Sequence, residues 1–264
     1  MLKMIQIEKS FNIGTINEKQ IFNGLNLTIH DGDFITVIGG NGAGKSTMLN
    51  LIAGVHKADG GRIILDGEDL TYKNETQRAK YIGRVFQDPM MGTAPTMMIE
   101  ENLAIASRRG TTPGLSWALK DSEREKFREM LKELDLGLED RLTSRVGLLS
   151  GGQRQALTLL MAAMNKPRIL LLDEHTAALD PKTAEKVLAM TKKVIEREHL
   201  TSLMITHNMR DALRFGNRLI MMNEGHIILD IAGEEKKKLT KKDLLDRFAA
   251  LAGQQEETDA VLLS

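Results

Sequence analysis

The sequence contains no cysteine among its 264 residues. A disulfide framework and a thiolate metal site are therefore excluded, and the composition is compatible with the cytosol. Neither sign of charge is in excess, because 36 Lys and Arg residues balance 36 Asp and Glu residues. This balance argues against binding of long nucleic acid by bulk electrostatics, although it leaves room for a local basic patch.

Long apolar runs are also missing. The longest lies near Ala156–Met164, is interrupted by Thr158, and is well short of the roughly 18 residues expected of a membrane span. Residues 1–6 lack the apolar run of a signal peptide. We therefore expect a chain that does not cross a membrane by itself, although it can sit on one through a partner.

A glycine-rich motif at Gly39–Thr47 separates a strand pattern from a helix pattern. It fits G-x-x-x-x-G-K-[ST], with Gly39 and Gly44 as the fixed glycines. Phe34–Ile38 is typical of a short buried strand, and the apolar spacing after the motif predicts a helix that ends at Gly54. Together these features are typical of a strand, a tight turn and a helix start.

Such a turn is an anion site. Glycines let successive backbone N–H groups turn inward, and the helix N-terminus adds roughly half a positive charge. Lys45 can reach the β- and γ-phosphates of a nucleotide, and the Ser46 hydroxyl can ligate Mg²⁺. The alternative, a glycine-rich turn without a ligand, is disfavoured by the strand–helix context. The predicted nucleotide-binding residues are Gly39, Asn41, Gly42, Ala43, Gly44, Lys45, Ser46 and Thr47.

Two adjacent carboxylates end the apolar run that starts at Ile169. A continuous run of this kind predicts a central parallel strand, and ligands bind at the carboxyl ends of such strands. Asp173 can hold Mg²⁺, usually through water, while Glu174 can orient and deprotonate an attacking water. The alternative is a solvated strand end.

A second helix start follows at Ser150, about 100 residues after the first. Ser150 is typical of an N-cap, and we expect Gly151 and Gly152 to leave the first-turn N–H groups open to an outside acceptor. Alone this is a helix cap, but beside a phosphate loop it suggests a second contact with the same nucleotide. Asp180 is also predicted to be an N-cap, with Pro181 at the first helical position.

Three further side chains lie next to predicted strands. Gln87 follows the strand at 82–86 and can ligate a metal or hold a water, although alone it is an ordinary loop residue. His207 ends a buried strand and is placed to donate to a γ-phosphate, although a lone histidine is usually structural. Phe11, expected between the first two strands, is a core aromatic or a platform for a flat base.

Helical patterns replace strand patterns from Pro89 to Lys166. Amphipathic helices are predicted at Ile99–Ser107, Asp121–Leu134 and Gly151–Asn165, which indicates an inserted helical subdomain. Methionines cluster at its entrance, where gap-filling core is favoured over an adaptable docking surface. The cluster comprises Met90, Met91, Met97 and Met98.

Lysines are concentrated beyond Gly233. The lysines at 236–238, 241 and 242 are expected to form a solvated face, followed by a helix to about residue 252 and a polar tail.

Six motifs together resemble the ATP-binding subunits of ABC (ATP-binding cassette) transporters, in family order and at family spacing. The resemblance covers nearly the whole chain. Leu149–Gln153 is its most specific part, because GTPases, kinases and recombinase-type ATPases lack it. The motifs are Gly39–Thr47, Gln87, Leu149–Gln153, Ile169–Glu174, Ala178–Asp180 and Thr206–His207.

The resemblance implies an α/β fold. It consists of a P-loop NTPase core with a mainly parallel central sheet, an N-terminal antiparallel β subdomain and an inserted α-helical subdomain. Within one ABC ATPase domain of residues 1–264, residues 1–88 and 167–232 are expected to form the core. Residues 89–166 would be the helical signature subdomain, and 233–264 a C-terminal helix and polar tail.

The resemblance also implies residue roles. Glu174 would activate water, His207 would hold the γ-phosphate, and Asp180 would link two active sites. Gln87 would sense the γ-phosphate and Mg²⁺, and Phe11 would stack on adenine in place of the family's usual tyrosine. The implied catalytic residues are Lys45, Gln87, Glu174 and His207, and the implied Mg²⁺ ligands are Ser46, Gln87 and Asp173.

The implied assembly is a head-to-tail homodimer or a paired assembly. ATP would lie between the phosphate loop of one copy and Ser150, Gly151, Gly152 and Gln153 of the other. The dimer would drive a separate membrane permease from the inner face of the cell membrane, as in a bacterial importer of small solutes such as amino acids, with a solute-binding protein. No nucleic acid is expected.

Alternative functions stay open at this point. An exporter ATPase would have the same motifs. A soluble ABC ATPase acting on nucleic acid or ribosomes usually carries two cassettes or a long coiled-coil insertion, and this chain has neither. Phosphotransfer to a small molecule would leave Leu149–Gln153 and Asp180 unexplained. One departure from the family, His175 in place of the usual proline, leaves open how rigid the turn beyond Glu174 is.

Overall fold

The computed structural model describes residues 1–111 and 119–251. Trp117, to which the sequence assigns no role, and the predicted polar tail beyond residue 251 lie outside the described residues. The described chain forms two compact units. One comprises Met1–Arg78 and the described residues from Thr201 onward, and the other comprises the described residues of Ala79–Leu200.

Strands and helices follow the predicted order along the chain. The strands are β1 (Leu2–Phe11), β2 (Lys19–Ile29), β3 (Phe34–Gly39), β4 (Gly60–Leu65), β5 (Glu68–Asp69), β6 (Ile82–Val85), β7 (Ile169–Asp173), β8 (Ser202–Ile205), β9 (Arg218–Asn223) and β10 (His226–Ala232). The helices are α1 (Lys45–Ala53), α2 (Glu75–Arg78), α3 (Ile99–Ser107), α4 (Asp121–Lys132), α5 (Gly151–Ala163), α6 (Pro181–Glu198), α7 (Met209–Arg214), α8 (Gly233–Lys238) and α9 (Lys241–Leu251). The predicted bounds of α3 are confirmed, and α4 and α5 start as predicted but end two residues early.

An antiparallel sheet occupies the N-terminal part of the first unit, in the strand order β2-β1-β4-β5. Leu2 and Met4 of β1 are buried on one face, because alternate residues of a strand lie on the same face of the sheet. A β-bulge at Gln6, whose φ is 48°, then shifts the phase so that Ile7 is the next buried residue. The predicted antiparallel subdomain is confirmed.

Parallel pairing dominates the remaining strands. In the first unit β3 runs parallel to β8 and β9, and β9 pairs with the antiparallel edge strand β10. In the second unit β6 runs parallel to β7. Every residue of β3 and the first four residues of β7 are buried, which explains the apolar sequence of β7 and the mostly apolar sequence of β3. The predicted α/β class is confirmed.

The C-terminal helices complete the core of the first unit. Leu244 of α9 lies in a buried cluster with Ile38 of β3. Lys236 of α8 is also buried, and its Nζ donates to the carbonyl oxygens of Phe215 and Gly216 at the end of α7. The predicted solvated face is therefore wrong for Lys236, because its amine caps these carbonyls, whereas the other four lysines are exposed.

Helices α3, α4 and α5 share one apolar core in the second unit, with Leu103, Phe127 and Leu157 at its centre. The methionines before α3 do not belong to it. Met90 and Met91 are 41% and 69% exposed, because they lie in a turn that the Met91 N–H closes onto the carbonyl of Asp88. The gap-filling interpretation is therefore wrong for these two residues, and for Met98, which is 38% exposed.

The two compact units divide the chain between Arg78 and Ala79 and between Leu200 and Thr201. Strands β6 and β7 group with helices α3–α6, because α5 packs on both β6 and α6. The predicted boundaries at residues 88, 166 and 232 stay a prediction.

A buried arginine fixes the end of helix α1. Arg78 is 1% exposed, and its guanidinium donates to the carbonyls of Leu51 and Ile52 at 2.6 and 2.8 Å. It also donates to the carbonyls of Leu70 and Lys73, at 2.6 and 2.8 Å. Burial lowers the pKa of Arg78 to about 10, so the side chain stays charged at neutral pH. The bonds to Leu51 and Ile52 help to satisfy the carbonyls at the end of α1, where the Leu51 carbonyl also accepts from the N–H of Gly54.

We expect Arg78→Met to lower the free energy of unfolding by about 3 kcal/mol, because several buried hydrogen bonds to carbonyls are lost at once. Urea denaturation followed by circular dichroism measures the change. Arg62→Met, at an exposed position of β4, is the matched control and should have little effect. Equal losses in the two variants would contradict the capping role.

Candidate nucleotide site

The turn between β3 and α1 has no space for side chains at its two fixed glycines. A Cβ on Gly39 would lie 2.2 Å from the carbonyl oxygen of Met222, and a Cβ on Gly44 would lie 2.7 Å from the Phe22 ring. Gly44 also has a φ of 99°, which L side chains rarely adopt. Close packing thus shapes the loop, and it explains why the motif requires glycine at both positions.

Lys45 is buried at the start of α1, at 6% exposure. Its Nζ donates to the carbonyl oxygens of Gly39 and Gly40 at 2.7 and 2.8 Å, so the ammonium group lies within the loop. The N-cap Gly44 offers no side-chain cap to the first turn of α1. A fixed cation and uncapped N–H groups at one helix start fit a phosphate group.

The remaining loop residues divide into buried and exposed positions. Ala43 is buried, and its carbonyl accepts from the N–H of Gly225 at 3.1 Å. Asn41, Gly42 and Ser46 are exposed, and Thr47 is half-buried in the first turn of α1. The exposed hydroxyl of Ser46 is therefore accessible to a ligand from solvent.

Phe11 is the last residue of β1, so the expectation that it lies between the first two strands is wrong. It is half-buried, packing edge-on against His56 with ring centroids 5.2 Å apart and an interplanar angle of 78°. The Nζ of Lys9 lies 5.2 Å from the Phe11 ring centroid and pairs with Asp59 at 2.9 Å. These contacts hold an accessible aromatic ring, whereas a core aromatic would be fully enclosed.

His207 lies between β8 and α7 at the carboxyl end of its strand. It is half-buried, and Asn208 after it caps α7 by accepting from the N–H groups of Arg210 and Asp211. The backbone on both sides of His207 is thus fixed by a buried strand and a capped helix.

Asp173 and Glu174 lie at the carboxyl end of β7 in the second unit. Asp173 is the last residue of the strand and accepts from Arg84 Nη2 of β6 at 3.2 Å. Glu174 follows with a φ of 45°, and its carbonyl accepts from the N–H of Ala177 at 2.9 Å. The left-handed backbone at Glu174 is uncommon for a non-glycine residue and turns the chain sharply after the strand.

His175 anchors that turn to helix α6. It is 2% exposed, and its Nε2 lies 3.0 Å from Thr191 Oγ1. The Thr191 hydroxyl donates to the carbonyl of Val187 at 2.8 Å, so Nε2 of His175 must carry the donated proton. Burial lowers the pKa of His175 to about 4, which keeps the ring neutral. The turn is therefore held by a buried hydrogen bond in place of a proline.

Gln87 is exposed two residues beyond β6. The residue before it, Phe86, has its carbonyl held by the Nε2 of Gln155 of α5, at 3.2 Å. Gln155 is fully buried, and its Oε1 has no hydrogen-bond partner among the described residues. The sequence did not predict this contact or the contact between Arg84 and Asp173. A lone arginine in the apolar strand β6 was a signal for the second contact.

Ser150 caps α5 as predicted. Its Oγ accepts from the N–H of Gln153 at 3.3 Å, while Gln153 Oε1 accepts from the Ser150 N–H at 3.2 Å. A Cβ on Gly152 would lie 2.2 Å from Thr183 Cγ2, so this glycine permits close packing of α5 on α6. The cap satisfies the first-turn N–H of Gln153, as expected of an N-cap, and a contact of the helix start with an outside acceptor stays a prediction.

Asp180 caps α6 as predicted, with its Oδ1 accepting from the N–H of Thr183 at 3.1 Å. Hydrogen bonds from the side chain and the backbone of Thr183 lower the pKa of Asp180. Thr183 therefore contacts both the Gly152 helix start and the Asp180 cap, a role that the sequence did not reveal.

Comparison with known proteins gives consistent matches. A model of the family described as ABC transporter matches residues 22–177. The tyrosine transport ATP-binding protein of Clostridioides difficile (strain R20291) is 42% identical over 248 residues, covering 94% of this chain and 98% of that protein. The spermidine/putrescine import ATP-binding protein PotA of Pasteurella multocida (strain Pm70) is 35% identical over 94% of this chain, which spans 62% of that protein's length.

Solved structures of ATP-binding cassettes share the fold. The dimeric cassette MJ0796, in a post-hydrolysis state with bound ADP and Pi, has a TM-score of 0.74 and 30% identity, covering 88% of this chain and 98% of that one. The ADP conformation of MJ1267, an ATP-binding cassette of an ABC transporter, has a TM-score of 0.75 and 29% identity. The match covers 94% of this chain and 98% of that one.

We expect the stability of this protein to fall as pH drops from about 6.5 to about 4, in part because of His175. The folded state keeps the ring neutral to about pH 4, whereas the unfolded chain takes up a proton near pH 6.5, so acid favours unfolding. Below that window the cost reaches about 3 kcal/mol. Denaturation of His175→Asn across this range should show a shallower pH slope than the wild type.

The control for this measurement is His226→Asn, because His226 is exposed. Its slope should match that of the wild type. A His175→Asn slope that also matches the wild type would contradict the buried neutral ring.

Proposed function

This chain belongs to the ABC transporter family, and we propose that it is the ATP-hydrolysing subunit of an importer whose permease is a separate membrane protein. The relative named for spermidine/putrescine import supports import over export, and the relative named for tyrosine transport supports a role in transport. They also support a small solute, such as an amino acid, as the cargo. Neither name favours the alternative of a soluble ATPase acting on nucleic acid or ribosomes.

The observation that carries the proposal is the phosphate loop. A buried Lys45 ammonium group held by two loop carbonyls gives a fixed positive charge at an uncapped helix start. In this proposal the loop N–H groups and Lys45 bind the β- and γ-phosphates of ATP, and Phe11 stacks on the adenine ring. The exposure of Asn41, Gly42 and Ser46 supports entry of the nucleotide from solvent.

Hard oxygen donors suit Mg²⁺ at this site. We assign Ser46, Gln87 and Asp173 as its ligands, because hydroxyl, amide and carboxylate oxygens are the donors that Mg²⁺ prefers. When bound, the metal neutralises charge on the phosphates.

Glu174 is the general base in this proposal. Its position directly after β7, on a turn anchored by His175, supports a carboxylate held in one orientation. Glu174 takes the proton of the attacking water, and His207 donates to the γ-phosphate. Gln87 responds to the γ-phosphate and relays its presence to the permease.

Two copies are proposed to act as a head-to-tail dimer. In it, ATP bound by one copy meets the Ser150-capped helix start of the other, with Gly151, Gly152 and Gln153, and Asp180 links the two active sites. The dimeric cassette with bound ADP and Pi supports this assembly. The exposure of Ser150 and Gly151 supports a contact with another molecule.

The permease partner places the chain at a membrane. Among the described residues no helix has both the length and the apolarity to cross a bilayer. We propose that the chain sits at the inner face of the cell membrane on its permease, and that a solute-binding protein delivers the cargo.

We expect Glu174→Gln to keep ATP binding but to slow hydrolysis by about 10²-fold or more, the usual scale for losing a general base. With Mg²⁺ and ATP this variant should accumulate as a dimer, measurable by light scattering.

Lys45→Ala should instead weaken nucleotide binding about tenfold or more, because a charged hydrogen-bond donor is lost. Titration with a fluorescent ATP analogue separates the two effects.

Glu196→Gln, an exposed substitution on α6, serves as the control and should retain wild-type turnover. Unchanged hydrolysis in Glu174→Gln would remove Glu174 from the mechanism. Unchanged affinity in Lys45→Ala would mean that the phosphate loop has been misplaced.

We expect the tagged chain, expressed in its native host, to co-purify with a polytopic membrane protein after mild detergent extraction. Adding ATP and Mg²⁺ to the Glu174→Gln variant should retain that protein, because the closed dimer is trapped. Recovery of ribosomal or nucleic-acid partners alone would contradict the transport function.

A further inference from the structure

Arg84 lies beside Asp173 through the register of two parallel strands. Arg84 of β6 is opposite Leu171 of β7, and Asp173 lies two residues further along β7 on the same face. The Arg84 Nη2 and the Asp173 Oδ2 are 3.2 Å apart. The two side chains are only 13% and 15% exposed, so solvent screens this pair weakly.

The pairing is incomplete on the arginine side. One nitrogen–oxygen contact joins the two groups, instead of the two parallel hydrogen bonds that an arginine and a carboxylate can form. The Arg84 Nε is buried and has no acceptor among the described residues. A buried hydrogen-bond donor without an acceptor costs free energy, so the guanidinium is held less firmly than its burial suggests.

Phe86 gives the guanidinium a second contact. The Arg84 guanidinium carbon lies 4.6 Å from the centroid of the Phe86 ring, within the range of a cation–π interaction. The Phe86 backbone is in turn held by Gln155. Arg84 can therefore give up Asp173 without losing every favourable contact of its charge.

We propose that Arg84 is a built-in counter-cation that competes with Mg²⁺ for the Asp173 carboxylate. The inference rests on the proposed role of Asp173 as a Mg²⁺ ligand. Two cations close to one carboxylate repel each other, so the arginine contact disfavours binding of the metal and the bound metal weakens the arginine contact. Arg84 thereby stabilises the metal-free protein and raises the Mg²⁺ concentration that nucleotide binding requires.

The test compares Arg84→Met, which removes the charge, with Arg84→Lys, which keeps it. A fluorescent ATP analogue is titrated at a series of Mg²⁺ concentrations, which gives the half-saturating Mg²⁺ for binding without any turnover. We expect Arg84→Met to lower this value about threefold to tenfold, the scale of a partly buried ion pair. Arg84→Lys should stay near the wild type.

Thermal unfolding provides a second readout. Without Mg²⁺, Arg84→Met should melt at a lower temperature than the wild type, because the Asp173 carboxylate loses its partner. Saturating Mg²⁺ and ATP should narrow that difference. If Arg84→Met does not fold, Arg84→Gln replaces it in both measurements, since it also removes the charge.

Two controls separate the possible failures. Arg124→Met breaks a different ion pair of the same unit, with Glu100 at 3.0 Å, and should leave the Mg²⁺ dependence unchanged. Asp173→Asn should weaken the Mg²⁺ dependence of binding. If it does but the Arg84 variants match the wild type, the counter-cation role is overturned. If Asp173→Asn itself matches the wild type, the metal role of Asp173 in the proposed function fails.

Discussion

The conformation of the phosphate loop depends on two glycines at which there is no space for a side chain. The Met222 carbonyl faces Gly39 and the Phe22 ring faces Gly44, so strand β9 and the antiparallel sheet together restrict the conformation of the loop. In this conformation the Lys45 ammonium donates to loop carbonyls, and α1 starts without a side-chain cap. Arg78 fixes the other end of the same helix. A helix held at both ends presents its N-terminus in one orientation.

In the second unit, contacts between the starts of helices α5 and α6 fix the orientation of those helix starts. Thr183 donates to the Asp180 cap and packs against Gly152, so the beginnings of α5 and α6 are set against each other. Thr191, two turns further along α6, accepts from the buried His175 beside Glu174. Helix α6 therefore positions the capped serine–glycine start, Asp180 and the turn at Glu174.

The end of β6 connects the other groups of this unit. Arg84 pairs with Asp173, Phe86 stacks on Arg84, and Gln155 of α5 holds the backbone just before Gln87. These contacts connect Asp173 with the backbone next to Gln87. This arrangement gives a physical basis for a link between metal binding and the loop that we assign to the permease relay.

Local chemistry accounts for what the sequence determined by itself. The glycine motif with its flanking strand and helix, the Ser150 and Asp180 caps, and both ends of α3 are encoded by residues within a few positions of one another, so they could be predicted. The burial of Lys236 and His175, the exposure of Met90 and Met91, and the Arg84–Asp173 pair could not. Arg84 and Asp173 are 89 positions apart, and only the parallel register of β6 and β7 brings them together. Tertiary packing decides such contacts because it alone sets which distant side chains share a face and are shielded from water.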